Sequence, residues 1–301
     1  MNILWIKMQK IKYGRKEIKM RNATRFLLLL PSLLIMASHP ATAGDWLLSK
    51  NDIIHATGLT YSTDNASWDQ QYKLRRKCSS RNAYLFQGVE YGYSYYHTLF
   101  LNTSLATQNC GKNHASGIGN VKIGIRGRID NEHNGRAWEL TAIMPTGYSR
   151  TKALRLGNGV PGIEAGAFYS GRPQGWADPF ASYLDAGISV RYWFGAPASQ
   201  TRGYLGIQKP VSSTQKISFR VYGNFSWRNG KPEEVASNQL QTSDYDQVYL
   251  ETRYNHHLTP YWSVTASLGH DIWGRNTVRS TYLSISISHA WWSHPNETHD
   301  F

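Results

Sequence analysis

The stretch Leu283-Ser284-Ile285-Ser286-Ile287-Ser288 sets Leu283, Ile285 and Ile287 against Ser284, Ser286 and Ser288. Strict period-2 alternation puts the two series on opposite faces of a β-strand. The stretch before it, 261–274, keeps the same rhythm: Trp262, Val264, Ala266 and Leu268 oppose Ser263, Thr265, Ser267 and Gly269. Two more such stretches lie at 216–228 and 246–258. A soluble sandwich would give this pattern with the apolar face inward. Aromatic residues also close the strand ends (Tyr261, Trp262, Trp273, Trp291, Trp292), where a membrane barrel carries its interfacial girdles. The reading is an all-β chain, a transmembrane antiparallel β-barrel of the outer membrane.

Outward from the C-terminal hairpins, the pattern predicts twelve strands. The first ten are 54–62, 83–92, 95–106, 120–130, 137–145, 162–171, 183–194, 203–211, 216–228 and 246–258, and 261–274 and 280–292 complete the set. The eighth is the weakest, because Lys209 and Pro210 interrupt it. An even count suits a single-chain bacterial barrel with both termini on one side. The polar run with Lys73, Arg75, Arg76, Lys77 and Arg81 is placed outside the cell.

The formal charge is +13, of which residues 1–43 hold +7, so 13 − 7 = +6 remains for the rest. That excess, without a recognition-helix pattern, excludes a nucleic-acid partner; phosphate on lipopolysaccharide fits it better. Arg21 and Arg25, an apolar run over 26–37 and the Ala41-Thr42-Ala43 site read as a signal peptide over 1–43, with Met20 the more natural start. Residues 44–53 are then a periplasmic or plug segment, 54–292 the barrel, and 293–301 a C-terminal tail. Barrels commonly end on an aromatic read by the insertion machinery, and either Phe301 or Trp292 fills that place. Mean hydropathy is −0.49 and no second long apolar run occurs, which excludes an inner-membrane helical protein.

Cys78 and Cys110 are the only cysteines, and in an oxidising compartment such a pair forms a disulfide. A hairpin turning at Ser94 would place 78 and 110 symmetrically at its open end. The alternation turns Glu90, Lys122, Arg126, Arg128, Glu139, Glu164, Asp185, Arg191, Lys216, Arg220, Glu251 and Arg253 toward the lumen, since such charges cannot face lipid. They either pair into ladders that fill the lumen or line an aqueous path with a slight anion preference.

Four pieces resemble the outer-membrane channel family labelled "MetA-pathway of phenol degradation", itself distantly similar to the long-chain fatty-acid channels. They are Ser116-Gly117-Ile118-Gly119-Asn120 leading into 121–124, Met144-Pro145-Thr146-Gly147, the run 187–198, and Gly274-Arg275-Asn276-Thr277 before the closing strand. Asn120 stands where the family usually has Asp. The resemblance implies passive movement of small, often hydrophobic or aromatic molecules, no cofactor, and a plug formed by the N-terminal segment.

One enzymatic alternative is a barrel lipid hydrolase. His114-Ala115-Ser116 puts a base and a nucleophile on one face of a strand, as a Ser–His dyad needs. An orienting partner is not evident; Asn131 and Glu132 are near only in sequence. His256, His257, His289 and His299 raise metal binding, but adjacent histidines point to opposite strand faces, so no metal site is expected.

Overall fold

The computed structural model describes residues 47–129, 135–146, 156–157, 159–171, 182–195, 197–230 and 241–293. The segment 1–43 read as a signal peptide, Asn131, Glu132, Gly147, His299 and Phe301 lie outside these residues. All regular structure among them is strand: β1 (Ile53–Trp68), β2 (Leu74–Ser94), β3 (His97–Cys110), β4 (Asn113–Ile118), β5 (Val121–Arg128) and β6 (Arg136–Met144), followed by β7 (Gly162–Gly171), β8 (Tyr183–Trp193), β9 (Gln200–Pro210), β10 (Gln215–Ser226), β11 (Gln241–His257) and β12 (Trp262–Trp291).

Every pairing is antiparallel. The order β2-β1-β12-β11-β10-β9-β8-β7-β6-β5-β3 closes on itself through β2–β3, so eleven elements form a ring without a free edge. Closure satisfies the backbone groups that an open sheet would leave bare in lipid. The element that runs for 30 residues, β12, is a hairpin turned at Gly274–Thr277. Ala290 N donates to Tyr261 O at 2.8 Å, the Ser263 and Ser288 hydroxyls meet at 2.6 Å, and His270 Nδ1 meets Thr281 Oγ1 at 2.8 Å. Asn276 takes the positive φ of the turn, 53°. With both arms of β12 counted, the wall has twelve crossings, as the sequence pattern predicts.

Three expectations are corrected. Where one strand is expected between the third and the fifth, two elements stand in line: the expected one is β5, and β4 precedes it over 113–118, with β3 pairing to β5 over His97–Asn102 and to β4 over Leu105–Cys110. They break at Gly119-Asn120, where Gly119 N donates to Ser104 O and the Thr146 hydroxyl donates to the carbonyls of Ile118 and Gly119. The strands at the end away from the termini also run further than their apolar alternation, as in β1 to Trp68 and β2 from Leu74. Finally, the β2–β3 hairpin is not centred on Ser94. Gly92 faces Thr98 and Ser80, not Cys78, faces Cys110. The bridge Cys78–Cys110 forms nonetheless, with Cα atoms 5.4 Å apart. Between Asp64/Ser80 and Ala66/Arg76, β2 advances four residues while β1 advances two, and Cys78 sits in that bulge.

The two faces differ as a membrane wall requires. Register partners Leu59, Leu85 and Leu105, and likewise Leu205, Val221 and Leu250, form apolar rows with 41–54% of each side chain exposed. Tyr95, Tyr96, Tyr261, Trp262 and Trp291 are exposed at the end bearing the chain termini, and Tyr192, Phe194, Trp227 and Trp273 at the other. An apolar belt around the circumference, bounded by two aromatic girdles, is the outer surface of a transmembrane barrel.

Candidate functional site: the barrel interior

Cross-strand register carries one face around the ring. Arg126 faces Glu139, which faces Gly166, then Ser189, Arg202, Asn224 and Gln247 in turn. One pleat toward the termini lies Arg128, Ala137, Phe168, Gly187, Tyr204, Tyr222 and Tyr249, and one pleat the other way Thr141, Glu164, Arg191 and Gln200. By strand parity Glu90, Lys122, Asp185, Lys216, Arg220, Glu251 and Arg253 lie on the same face as these rows, which hold Arg126, Arg128, Glu139, Glu164 and Arg191, opposite to the exposed apolar rows. Short side chains between them, such as Gly206 between Asp185 and Arg220, leave room for long ones to meet.

Most of the charges are paired. Arg126 reaches Glu139 at 3.1 Å and Glu90 at 3.4 Å. Glu164 takes Arg191 at 2.5 Å and Arg202 at 3.0 Å, and accepts from Ser189 Oγ at 2.6 Å. Asp185, fully buried, meets Arg220 at 2.5 Å, and Glu251 meets Arg253 at 2.8 Å. Glu251 also accepts from the hydroxyls of Tyr222 and Tyr282, at 3.1 and 2.9 Å. Charge-assisted bonds of this kind stiffen the wall while keeping ionised groups off the lipid side.

Aromatic rings follow one another along the same face. Ring centroids are 6.4 Å apart for Phe168–Tyr204, 5.5 Å for Tyr204–Tyr222, 4.5 Å for Tyr222–Tyr249 and 6.2 Å for Tyr249–Tyr282. Glycine makes this possible: a Cβ on Gly187 would lie 2.5 Å from the Tyr204 ring and 2.6 Å from that of Phe168. Arg220 stands over Tyr204 and Arg126 over Phe100, each 5.5 Å from the centroid.

Both mouths are furnished. At the terminal end, Leu48 N donates to the buried Thr98 hydroxyl at 2.9 Å, Asn51 N to Gly92 O at 2.7 Å, and Ser293 N to Asp52 at 2.8 Å. Residues 47–52 therefore sit against the inner edge of β2 and β3. At the far end, Arg275 bridges Asp244 at 2.7 Å and Asp246 at 2.8 Å, and Tyr72 stacks on Trp273. Ile143, Val160 and Trp193 form a buried apolar cluster beside β6 and β8. In the β1–β2 loop, Asp69 accepts from Lys73 N, Arg75 Nε and Gln71 N, and these bonds, that of Lys73 first, hold its carboxyl below the ordinary value.

Sequence reading missed several interior residues. Arg202 lies one position before the expected start of its strand, and Asp64, Asp244 and Asp271 lie on strand extensions or in poorly alternating segments. Placing the hydrolase alternative, the structure puts His114 and Ser116 on the exposed face of β4, outside the lumen. Asn109, the register partner of His114, brings Oδ1 to 2.6 Å from His114 Nδ1, a partner invisible in sequence because it lies across a hairpin. Ser116 makes no hydrogen bond to His114. Of the histidines, His289 lies between Trp262 and Trp291, 4.2 Å from each ring, as part of a girdle, while His256 stacks on Tyr254. No group of three or more metal-ligating side chains occurs among the described residues.

No family model matches the chain. No curated protein matches it either. Its fold is similar to an outer membrane channel from Pseudomonas putida F1, with a TM-score of 0.65 and 14% identity over 82% of this chain and 98% of that one. The NanC porin is a more distant likeness (TM-score 0.46, 11% identity, 77% of this chain and 98% of that one). The fold and the two-faced wall together define the class: a transmembrane β-barrel of the outer-membrane type.

Proposed function

We propose that the chain is a passive outer-membrane channel for small molecules, its path lined by Glu90, Lys122, Arg126, Arg128, Glu139, Glu164, Asp185, Arg191, Lys216, Arg220, Glu251 and Arg253. The observation that carries this is the inner face rich in charged and hydroxylated side chains inside a closed wall with an apolar exterior. Ionisable groups within a bilayer serve a polar path or are expensive to keep. The resemblance of the four motifs to the "MetA-pathway of phenol degradation" channels supports this reading, and the aromatic row suits a permeant that is small and partly apolar. Residues 47–52 are the plug-side element of this reading, and a C-terminal aromatic, Trp292 or Phe301, serves the insertion machinery. The exposed Lys73, Arg75 and Arg81 meet lipopolysaccharide phosphate at the far rim. Planar-bilayer recording of the refolded protein tests the proposal, with stepwise openings as the expected result.

A second reading, ester hydrolysis on the outer wall, is favoured by one observation, the Asn109–His114 contact that leaves His114 Nε2 as the basic nitrogen beside Ser116. On that reading lipid hydrolysis in mixed micelles disappears in Ser116→Ala. Equal rates for wild type, Ser116→Ala and buffer remove it.

A further inference from the structure

We infer that the lumen contains a binding subsite for a planar aromatic monocarboxylate, with the carboxylate among Lys122, Arg191 and Arg202 and the ring against Tyr222 and Tyr249. The inference deepens the channel reading and rests on it for the direction of transport, though not for the binding itself.

Charge sets the anionic part. Around Glu164 two guanidiniums, those of Arg191 and Arg202, meet one carboxylate, so this group carries 2 − 1 = +1. Both arginines on Glu164 use the same carboxylate, and both carboxylates on Arg126 use the same guanidinium. Lys122 makes no hydrogen bond or ion pair among the described residues, and on β5 it stands one pleat from Gly124, whose register row runs through Thr141 to Glu164 and Arg191. Arg202 spends Nε on Asn224 at 2.7 Å and Nη1 on Glu164, which leaves Nη2 unused, and its side chain is the more open of the two arginines at 31% against 11% exposure. An ammonium left unpaired in a low-dielectric wall is costly, and one added negative charge balances it. A carboxylate matches the unused donor of the Arg202 fork as well as the lysine.

Geometry sets the aromatic part. Tyr204, Tyr222 and Tyr249 occupy the register row next to Arg202 and Asn224, so a ligand one ring long spans charge and rings. Tyr222 and Tyr249 are nearly parallel, 8° apart, with centroids 4.5 Å apart, which is about the spacing of neighbouring strands. The rings thus stand side by side from the wall with their edges toward the lumen. Ring edges carry the positive side of the quadrupole and attract the π face of a planar ligand. Tyr222 cannot swing away, because its hydroxyl is held by Glu251 and Arg220. A saturated carboxylate would satisfy only the cations, and a neutral phenol only the rings.

Titration calorimetry of the refolded full chain in detergent tests this with benzoate, acetate and phenol. Benzoate should bind roughly tenfold or more tightly than either of the others, as expected from one charge-assisted contact added to ring contact. Arg202→Gln and Lys122→Gln, each confirmed as folded by heat-modifiable migration, should weaken benzoate about tenfold and leave phenol unchanged. Equal affinity for acetate and benzoate, undiminished benzoate binding in both variants, or no benzoate binding at all overturns the subsite. Benzoate binding in a protein that never conducts supports the subsite and removes the channel reading. Conductance without benzoate binding does the reverse.

Discussion

At the scale of single residues, the interior is governed by whether charges are paired where water is scarce. Asp185 is buried completely and has Arg220 at 2.5 Å. Removing one partner leaves the other charge uncompensated, so Arg220→Leu should lower unfolding stability by about 3–5 kcal/mol in urea titrations of the refolded barrel. The double variant with Asp185→Leu should recover part of that loss, and strictly additive losses would show that the pair is not coupled. Arg75 and Asp69 make a comparable contact in the β1–β2 loop, but Arg75 is 65% exposed and solvent screens the pair, so its loss should change stability little. That the twelve charges share the face opposite the apolar rows is legible in the sequence, because parity alone decides strand face. Arg202 escaped because the strand was begun at residue 203, one position late. Its partners Asn224 and Glu164 gave no local signal, since both lie on other strands. Asn109 beside His114 was hidden for the same reason.

At the scale of elements, alternation names a strand reliably only where one side meets lipid. Beyond the apolar belt both faces are polar, the pattern fades, and β1, β2 and β11 therefore run longer than their sequences advertise. The turn at Gly274–Thr277 was readable as the boundary between two strands, although hydrogen bonding runs almost unbroken through it. The hairpin register needed for the disulfide was not readable, because the bulge around Cys78 is set by pairing with β1. The weakest predicted strand proved regular: β9 runs Gln200–Pro210, and Pro210 falls at its last position, where a missing N–H does least harm. Its Leu205 is 54% exposed in the middle of the apolar belt. Leu205→Arg should therefore cost about 2–4 kcal/mol of folding free energy in lipid vesicles, the penalty for a charge at the bilayer midplane. If that substitution proves neutral, the face assigned to lipid is the wrong one.

At the scale of the whole molecule, twelve crossings close a wall whose inner face is charged, hydroxylated and aromatic, and whose outer face is apolar between two girdles. The two mouths differ: residues 47–52 lie against one, and the Arg275–Asp244–Asp246 cluster with the β1–β2 loop stands at the other. Closure, girdles and inner charge were all foreshadowed by composition and period. The extent to which side chains occupy the lumen depends on pairs formed between strands far apart in sequence, such as Glu164–Arg202.

On the proposed function, this interior is a path rather than a filled core. Single-channel current through the refolded protein in a planar bilayer, with reversal potential read under a salt gradient, tests it most directly. Discrete steps and a reversal potential shifted toward anions are expected, in keeping with the two guanidiniums that share the Glu164 carboxylate. Protein that inserts and keeps heat-modifiable migration yet leaves the bilayer silent would contradict it.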